Sequence, residues 1–427
     1  MGQPFRVIIV GAGPTGLAIG NMLAAADLDF VILERHSQVI TESGACIMLW
    51  PHSARVLDQL GLLQSATSSS LGLHSKSTVD PLGQQMSNDP TFRWIEENHG
   101  YPTLHLPRTQ LTTLLYNGLQ VHWSKIKTSS SISAIDADEN GVCVTLSNGS
   151  VEKGSIIIGC DGVHSRVREI MNNNAKTDGI TVDASQTTTF QCLFGTASPI
   201  PDIERGVFWE SHGPGIATQF AVSENLSAFS LFRRLDKPTQ ENHTYNAEDV
   251  SQFFKDFGAT FLTPTLQIKD LQKYCKWTRL AGQPEGCATL WHHGRIVLCG
   301  ESAVQMTSVA GMGFNVALQS AVFLVNKLYD ATQECPEPDM DIITRIFSEY
   351  QLTRQSETTA IKDLSASYVR AVTWSSWIEK MTIEYLVPWV WGERGMMKKL
   401  GVDAISQGRK LNFIPYQDKC GNIPWAK

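Results

Sequence analysis

The start of the chain alternates strand-like and helix-like hydrophobic patterns. Residues 6–10 are rich in β-branched apolar side chains, which is typical of a buried strand, and a glycine-rich turn follows them. Residues 17–26 have the composition of a helix, and residues 30–34 form a second apolar run that ends in an acid. The pattern therefore predicts a strand, a turn, a helix and a second strand.

The rest of the chain contains further such runs and one long segment of different character. Residues 181–285 are rich in Thr and Phe with few strong helical stretches, which predicts an antiparallel sheet in a separate lobe. Residues 302–326 carry no charge, but their polar side chains would be costly in lipid, so we interpret them as a glycine loop and a buried helix. The remaining predicted strands are residues 142–146, 150–151, 155–159 and 295–300, and the remaining predicted helices are residues 316–329 and 341–370.

The first turn carries a dinucleotide-binding pattern. Gly11, Gly13 and Gly16 form GxGxxG between the predicted strand and helix. The first glycine permits a tight turn, the second lets a pyrophosphate approach the backbone, and the third lets the helix pack on the strand. Glu34 ends the second strand, where a carboxylate can accept hydrogen bonds from ribose hydroxyls. A chance glycine-rich turn is the alternative, but the flanking strand, helix and acid favour a dinucleotide site.

The composition and the start of the sequence indicate which binding partners and which cellular compartment to expect. The 427 residues are 42% apolar and carry a net charge of −7, which gives no electrostatic attraction for nucleic acid. The nine cysteines are scattered without a CxxC pair, so we predict no metal site and no disulfide framework. The N-terminus leads directly into the first strand with no signal-peptide pattern, which predicts a cytoplasmic protein.

Three further motifs resemble one enzyme family. Residues 160–168 look like the DG motif of single-component FAD monooxygenases of the p-hydroxybenzoate hydroxylase type, and residues 295–315 resemble their GD motif with the glycine loop after it. Residues 106–111 match their Arg-x-x-Leu helix. Residues 192–195 and 291–295 look like the fungal indole-diterpene and meroterpenoid epoxidase subgroup. The motifs occur in family order along nearly the whole chain.

The resemblance implies an α/β fold of the Rossmann-like GR2 type, with an antiparallel-sheet substrate lobe and a C-terminal helical region. The implied FAD-binding domain comprises residues 1–78, 104–180 and 286–350. The implied substrate domain comprises residues 79–103 and 181–285, and the C-terminal helical region comprises residues 351–427.

The resemblance also implies the chemistry. An FAD- and NADPH-dependent enzyme of this type uses O2 to epoxidise or hydroxylate a hydrophobic small molecule, here a terpenoid, a meroterpenoid or an indole alkaloid. NADPH is implied as a transient reductant, in agreement with the single GxGxxG pattern. No nucleic-acid partner and no transmembrane segment are expected, and peripheral contact with an internal membrane is left open.

The cofactor-binding residues that the glycine motif and the resemblance together imply are Gly11, Gly13, Gly16, Glu34, Arg35, Gly44, Met48, Arg108, Asp161, Glu301, Gly311, Gly313, Phe314 and Asn315. The motifs assign no catalytic acid or base. Gln191 and Gln305 are the only candidates for a catalytic role.

Several positions depart from the family pattern. The residues concerned are Met48 and Phe314 in place of glycines, Gln191 in place of arginine, Glu301 in place of aspartate, Gln305 in place of histidine and Ser308 in place of proline. They motivate a second hypothesis, a redox-silent cyclase or isomerase that acts on the same substrate class. A non-catalytic scaffold is the third.

An apolar stripe lies near the C-terminus. Trp374, Trp377, Ile378, Met381 and Tyr385 follow helical spacing before Pro388. We interpret this stripe as a face packed in the core, with a substrate lid or a membrane-facing surface as alternatives.

Overall fold

The most apolar runs of the chain form the strands at the centre of the molecule. The structure, a computed structural model, describes residues 5–41, 45–182, 186–386 and 402–426. The strands are β1 Arg6–Val10, β2 Asp29–Leu33, β3 Cys46–Leu49, β4 Ser75–Val79, β5 Gln85–Asp89, β6 Leu104–Pro107, β7 Ile126–Lys127, β8 Ile132–Ala137, β9 Val142–Leu146, β10 Val151–Gly154, β11 Ile156–Gly159, β12 Thr187–Ala197, β13 Val207–Gly213, β14 Ile216–Val222, β15 Ser227–Thr239, β16 Cys275–Cys287, β17 His292–His293, β18 Ile296–Leu298 and β19 Val304–Gln305.

Helices cover these sheets and connect their strands. They are α1 Pro14–Ala25, α2 Pro51–Gln59, α3 Leu63–Ser68, α4 Thr91–His99, α5 Arg108–Gly118, α6 Arg166–Thr177, α7 Ala247–Phe257, α8 Ile268–Leu271, α9 Gly313–Glu334, α10 Met340–Val372, α11 Trp377–Met381 and α12 Asp403–Ser406.

A six-stranded sheet of order β17-β18-β11-β1-β2-β7 forms the first layer. Its strands are parallel except for β17, which runs antiparallel to β18. The side chains of Ile8, Ile9, Val31, Ile32 and Ile157 are fully buried, because both faces of a parallel sheet are covered by other elements. This layer confirms the predicted strand–turn–helix–strand start of the chain.

A second, eight-stranded sheet forms the lobe. Its order is β19-β16-β12-β15-β14-β13-β4-β5, and all its pairs are antiparallel except β13 with β4. The predicted α/β fold with an antiparallel lobe is therefore confirmed, whereas the domain boundaries stay a prediction. Smaller sheets of order β10-β9-β8 and β3-β6 complete the described strands.

Two helices differ from their predicted extent. Helix α1 begins at Pro14 rather than Leu17, because a proline fits the first helical turn, where its missing N–H is not needed. Helix α9 begins at Gly313 rather than Val316 and continues to Glu334. Helix α7 lies inside the lobe segment and was not predicted; Asn246 and Asp249 form a capping box at its start.

The interpretation of the C-terminal apolar stripe as core is wrong for its described residues. Trp374 lies outside a helix in a left-handed conformation, and α11 presents Trp377 to solvent at 75% exposure. Ile378, Met381 and Tyr385 are exposed as well. Helical spacing predicts which side chains share a face, but it does not show that another element covers that face. Pro388 lies outside the described residues.

Buried histidines, among them His52 and His105, make stability depend on pH. Burial, followed by the positive charge of Arg354 and the proximity of His99, lowers the pKa of His52 to about 3. Burial lowers the pKa of His105 to about 4. Both imidazoles are neutral in the folded protein, so the unfolded chain, with His pKa values of about 6.5, binds more protons below that pH. Stability is therefore fully present above pH 6.5 and falls as the pH drops.

We expect the melting temperature to fall between pH 7 and pH 5, a range in which ordinary carboxylates titrate little. Differential scanning fluorimetry of wild type and His52→Asn tests this, and the variant should show a shallower decline. His36→Asn, at an exposed position, is the matched control and should keep the wild-type slope. Identical slopes for all three proteins would contradict the assignment.

Candidate cofactor and substrate site

Four parallel strands bring the predicted cofactor residues to one edge of the first sheet. Strands β2, β1, β11 and β18 are neighbours and run in the same direction. The residues after their carboxyl ends include Glu34, Gly11, Asp161, Gly300 and Glu301. In open α/β sheets this edge is where ligands bind.

The three glycines of the first turn lie in different surroundings. Gly11 has a φ of +104°, and a Cβ there would lie 2.7 Å from the carbonyl oxygen of Cys160. A Cβ on Gly16 would lie 2.0 Å from the carbonyl oxygen of Gly11, which is incompatible with this packing. A Cβ on Gly13 would meet no atom within 4 Å. Gly13 thus leaves open space beside the N-terminus of α1, and a pyrophosphate fits that space.

Glu34 lies at the rim of this turn. Its carboxylate accepts N–H hydrogen bonds from Ala12 and from His36, both at 2.8 Å. The side chain is 8% exposed, and each carboxylate oxygen keeps a further lone pair for a hydroxyl donor. Arg35 is exposed beside it. This arrangement fits the ribose-binding role expected of Glu34.

Asp161 and Arg168 organise the loop after β11. The Asp161 carboxylate accepts the backbone N–H groups of Arg166 at 2.7 Å and Val167 at 3.1 Å in the first turn of α6, whose N-cap is Ser165. The Arg168 guanidinium donates to the carbonyls of Val163 at 2.6 Å and Ser302 at 2.7 Å. Arg168 therefore joins the two loops that carry Asp161 and Glu301, a role that the sequence motifs did not identify.

Glu301 and Gln305 have different environments. Glu301 is exposed, and its Oε2 lies 4.0 Å from where a Cβ on Gly162 would be, so its carboxylate faces the loop after β11. Gln305 is 3% exposed and its amide donates to the carbonyl of Glu301. The Gln305 side chain thus supports the loop that carries Glu301.

The loop before α9 packs against β3. Gly311 has a φ of +61°, and a Cβ there would lie 2.9 Å from the Cβ of Met48. Asn315 is fully buried and donates to the carbonyls of Met48 and Gly311, both at 2.8 Å, while it accepts the N–H of Trp50 at 2.9 Å. Asn315 therefore joins this loop to β3 through backbone groups.

The remaining predicted residues lie around this loop. A Cβ on Gly313 would meet no atom within 4 Å, and Phe314 is half-buried. Arg108 begins α5 with its side chain exposed, and its N–H donates to the carbonyl of Ala45 at 2.8 Å. Gly44 lies outside the described residues. Gln191 is buried in β12 of the lobe.

One face of the lobe sheet carries a charged cluster that the motifs did not identify. Glu210 on β13 is 2% exposed, and its Oε2 lies 2.7 Å from Nζ of Lys76 on β4. The Tyr368 hydroxyl on α10 donates to the same oxygen at 2.6 Å. His212 Nε2 lies 3.2 Å from it, and Gln219 Nε2 donates to Oε1 at 2.9 Å.

This cluster holds Glu210 ionised. Burial alone would raise the pKa of the Glu210 carboxyl, but Lys76 and the surrounding donors outweigh burial and hold that pKa well below its usual range. Burial and the nearby carboxylate raise the pKa of Tyr368, so its hydroxyl stays protonated and donates. Glu210 and His212 are two positions apart on one strand, and this spacing alone could have indicated a shared face.

Gln219 connects this cluster to the loop before α9. Its Nε2 also donates to the carbonyl oxygen of Val309 at 2.7 Å, and Val309 precedes Gly311 by two residues. Gln219 therefore joins the Glu210 cluster of the lobe to residues 308–311, which lie in the segment between β18 and α9.

Within the part of the chain that the structure describes, no three His, Cys, Asp or Glu side chains are grouped closely enough to hold a metal ion. No helix of residues 5–41, 45–182, 186–386 and 402–426 has the length and apolar character needed to cross a bilayer.

A parallel sheet with a glycine-rich turn after its first strand is the architecture of a dinucleotide-binding domain, and here it is combined with an antiparallel lobe. The chain belongs to the FAD binding domain family, which matches residues 5–340. It is 32% identical to the FAD-dependent monooxygenase srdH of Neurospora crassa over 99% of both chains. It is 28% identical to the FAD-dependent monooxygenase ausM of Penicillium brasilianum, over 97% of this chain and 88% of that protein. The protein is thus an FAD-dependent oxidoreductase of the monooxygenase class, and the predicted family is confirmed.

Solved structures agree on the fold. HpxO of Klebsiella pneumoniae, complexed with FAD and uric acid, matches with a TM-score of 0.76 at 18% identity, over 94% of this chain and 96% of that one. The p-nitrophenol 4-monooxygenase PnpA of Pseudomonas putida matches with a TM-score of 0.75 at 17% identity, over 95% of this chain and 97% of that one.

Proposed function

We propose that this protein uses NADPH and O2 to epoxidise or hydroxylate a hydrophobic intermediate of secondary metabolism, a terpenoid, a meroterpenoid or an indole alkaloid. Full-length similarity to fungal FAD-dependent monooxygenases supports the reaction class. The observation that carries the proposal is the hydrogen bond from Gln219 of the lobe to Val309, which lies in the segment that leads from the end of β18 to α9.

The residues at the crevice fit the dinucleotide. The free N–H groups at the α1 N-terminus and the open space at Gly13 would receive the pyrophosphate, and Glu34 would accept ribose hydroxyls. Arg108 would add positive charge at the rim. When bound, FAD supplies electron transfer from the nicotinamide and the activation of O2.

The N-terminus of α9 would act on the reactive ring. Its first N–H groups have no partner within the helix, and the helix dipole adds partial positive charge there. These groups would stabilise negative charge on the reduced flavin. Gly313, where a Cβ would meet open space, would leave room for the ring to approach them.

The lobe supports a hydrophobic substrate. Apolar side chains flank the Glu210 cluster on both sides of the same sheet face, with Phe208 and Ala221 on one side and Phe190 and Phe232 on the other. These four side chains are buried against α4 and α10, and Phe194 on the same face is half-buried, so an apolar ligand with few polar groups could contact it.

Anaerobic NADPH addition to the purified FAD-loaded protein tests the proposal. We expect the visible flavin absorbance to bleach without O2, faster when a panel of terpenoid and indole compounds is present. When isotope-labelled O2 is then admitted, we expect one labelled oxygen atom to appear in a product. A flavin that stays oxidised with every compound would overturn the proposal. A product formed without labelled oxygen would instead favour the cyclase or isomerase hypothesis that the departures at Met48, Gln191, Glu301, Gln305, Ser308 and Phe314 motivate.

A further inference from the structure

Both N–H groups of the Gln219 side-chain amide donate to oxygen atoms that can only accept a hydrogen bond. One acceptor is the Glu210 carboxylate at 2.9 Å and the other is the Val309 carbonyl at 2.7 Å. A carbonyl oxygen never donates, and an ionised carboxylate only accepts. The side-chain NH2 group of Gln219 must therefore face both oxygens, because the flipped amide would set its own oxygen against them.

The ionisation of Glu210 adds a second constraint on this orientation beside the Val309 carbonyl. A protonated carboxyl could donate to the oxygen of a flipped amide, but Lys76 at 2.7 Å and Tyr368 at 2.6 Å stabilise the carboxylate. His212 at 3.2 Å adds a third group on the same oxygen. The Oε1 atom of Gln219 is consequently directed away from the cluster, and it has no hydrogen-bond partner among the described residues.

The sheet is open where Gln219 lies. Cross-strand pairing places Phe194, Ser230, Gln219 and Glu210 in one row, which continues to Arg279 on β16 beyond Phe194. Phe194, Ser230 and Gln219 are all half-buried, whereas their same-face neighbours along each strand are buried, namely Cys192, Thr196, Ala217, Ala221, Ala228 and Phe232. The accessible part of this otherwise apolar face is therefore the part beside the loop before α9.

We propose that Gln219 is a specificity-determining residue whose Oε1 accepts a hydrogen bond from an O–H or N–H group of an otherwise hydrophobic substrate. Glu210 is a positioning residue that orients the amide and does not contact the ligand. Because Oε1 can only accept, the substrate group that faces it must be a donor. This inference rests on the proposed function and names the polar group that the substrate must carry.

Matched probes with and without a donor test the role of Gln219. Farnesol is compared with farnesyl methyl ether, and indole with 1-methylindole, by isothermal titration calorimetry on the FAD-loaded protein. We expect the donor of each pair to bind about tenfold more tightly to wild type, the size of one hydrogen bond to a partly buried acceptor. In Gln219→Met the ratio of the affinities of the two probes should fall to about one. Ser230→Ala, on the adjacent strand of the same row, should keep the tenfold ratio.

A second variant tests the positioning role of Glu210. Lys76→Met/Glu210→Gln removes both charges together and leaves at position 210 an amide that can donate or accept, so only the Val309 carbonyl still opposes a flip of the Gln219 amide. We expect the donor preference to fall to about two- to threefold while FAD content is retained. A purely structural role of Glu210 would lower the melting temperature and leave the preference unchanged.

The inference is overturned if neither probe of a pair binds wild type, if both bind equally, or if Gln219→Met keeps the preference. These binding measurements need no turnover, so they are separate from reduction by NADPH. Failure of flavin reduction with an intact donor preference would refute the proposed function and leave the Gln219 assignment standing.

Discussion

Replacing Gly13 by alanine is expected to leave a folded protein whose affinity for FAD is lower by about tenfold or more, the loss of roughly one good phosphate contact. A Cβ at this position meets open space in the protein, so the fold has no reason to change. The same methyl group would occupy the space beside the α1 N-terminus where a pyrophosphate must approach the backbone.

Gly16→Ala is the matched comparison, because it adds the same methyl group one helical turn later. There the Cβ would lie 2.0 Å from the Gly11 carbonyl oxygen, so α1 must move away from the turn. We expect the free energy of unfolding to fall by about 3 kcal/mol, as for a severely overpacked core position.

Flavin fluorescence titration and denaturant unfolding of the FAD-free proteins separate the two effects. Gly13→Ala should lose affinity with unchanged unfolding, and Gly16→Ala should lose stability first. Wild-type FAD affinity in Gly13→Ala would show that the pyrophosphate does not approach this backbone. Wild-type stability in Gly16→Ala would show that the packing of α1 on the turn is looser than the structure indicates.

Lys76→Met is expected to lower the free energy of unfolding by about 3–5 kcal/mol, because it leaves the Glu210 carboxylate buried and uncompensated. Glu210 is 2% exposed, and its remaining partners are neutral donors or a histidine. The double variant Lys76→Met/Glu210→Gln should recover most of the loss, since no buried charge remains.

The exposed pair Lys327–Glu349 is a matched control, because its N–O distance is also 2.7 Å. Its side chains are 36% and 47% exposed, so Lys327→Met should cost less than about 1 kcal/mol. Urea unfolding at neutral pH measures all four proteins. Equal losses for the two single variants would contradict the view that burial determines the strength of the Glu210 pair.

The Glu210 cluster is also expected to make the free energy of unfolding depend on pH in the acid range. The folded pKa of Glu210 lies below its unfolded value, so its stabilising contribution is fully present above the usual glutamate pKa of about 4.3 and is lost as the pH falls below that value. The difference in stability between wild type and the double variant should therefore shrink from pH 5 toward lower pH.

Local patterns predicted the cofactor side of the protein well. A glycine turn, the strand before it and the helix after it are adjacent in sequence, so their geometry depends on nearby residues. The resemblance in the DG and GD motifs correctly indicated the family. The structure then brought Glu34, Asp161 and Glu301 to one edge, because parallel neighbouring strands end there. Their contacts with FAD stay predictions.

Local sequence patterns could not predict contacts between residues that are far apart in the chain. Lys76 and Tyr368 lie 134 and 158 positions from Glu210, and no local spacing predicts that they share one carboxylate oxygen. Asn315 was expected only as a cofactor ligand. In the structure its side chain forms hydrogen bonds with the backbone of β3. The stripe around Trp377 has a clear helical period, but the element needed to bury it is absent among the described residues.

The amino-acid sequence by itself determined the succession of strand, turn, helix and strand at the start of the chain, the dinucleotide turn and the flavoprotein family. These features depend on backbone conformations that particular residues allow or forbid over a few positions. Only the tertiary structure decided which polar groups become buried together in the lobe and which amide orientation they enforce. The reason is physical: the pKa of Glu210 and the orientation of Gln219 depend on charges and acceptors that folding brings together from four separate segments of the chain.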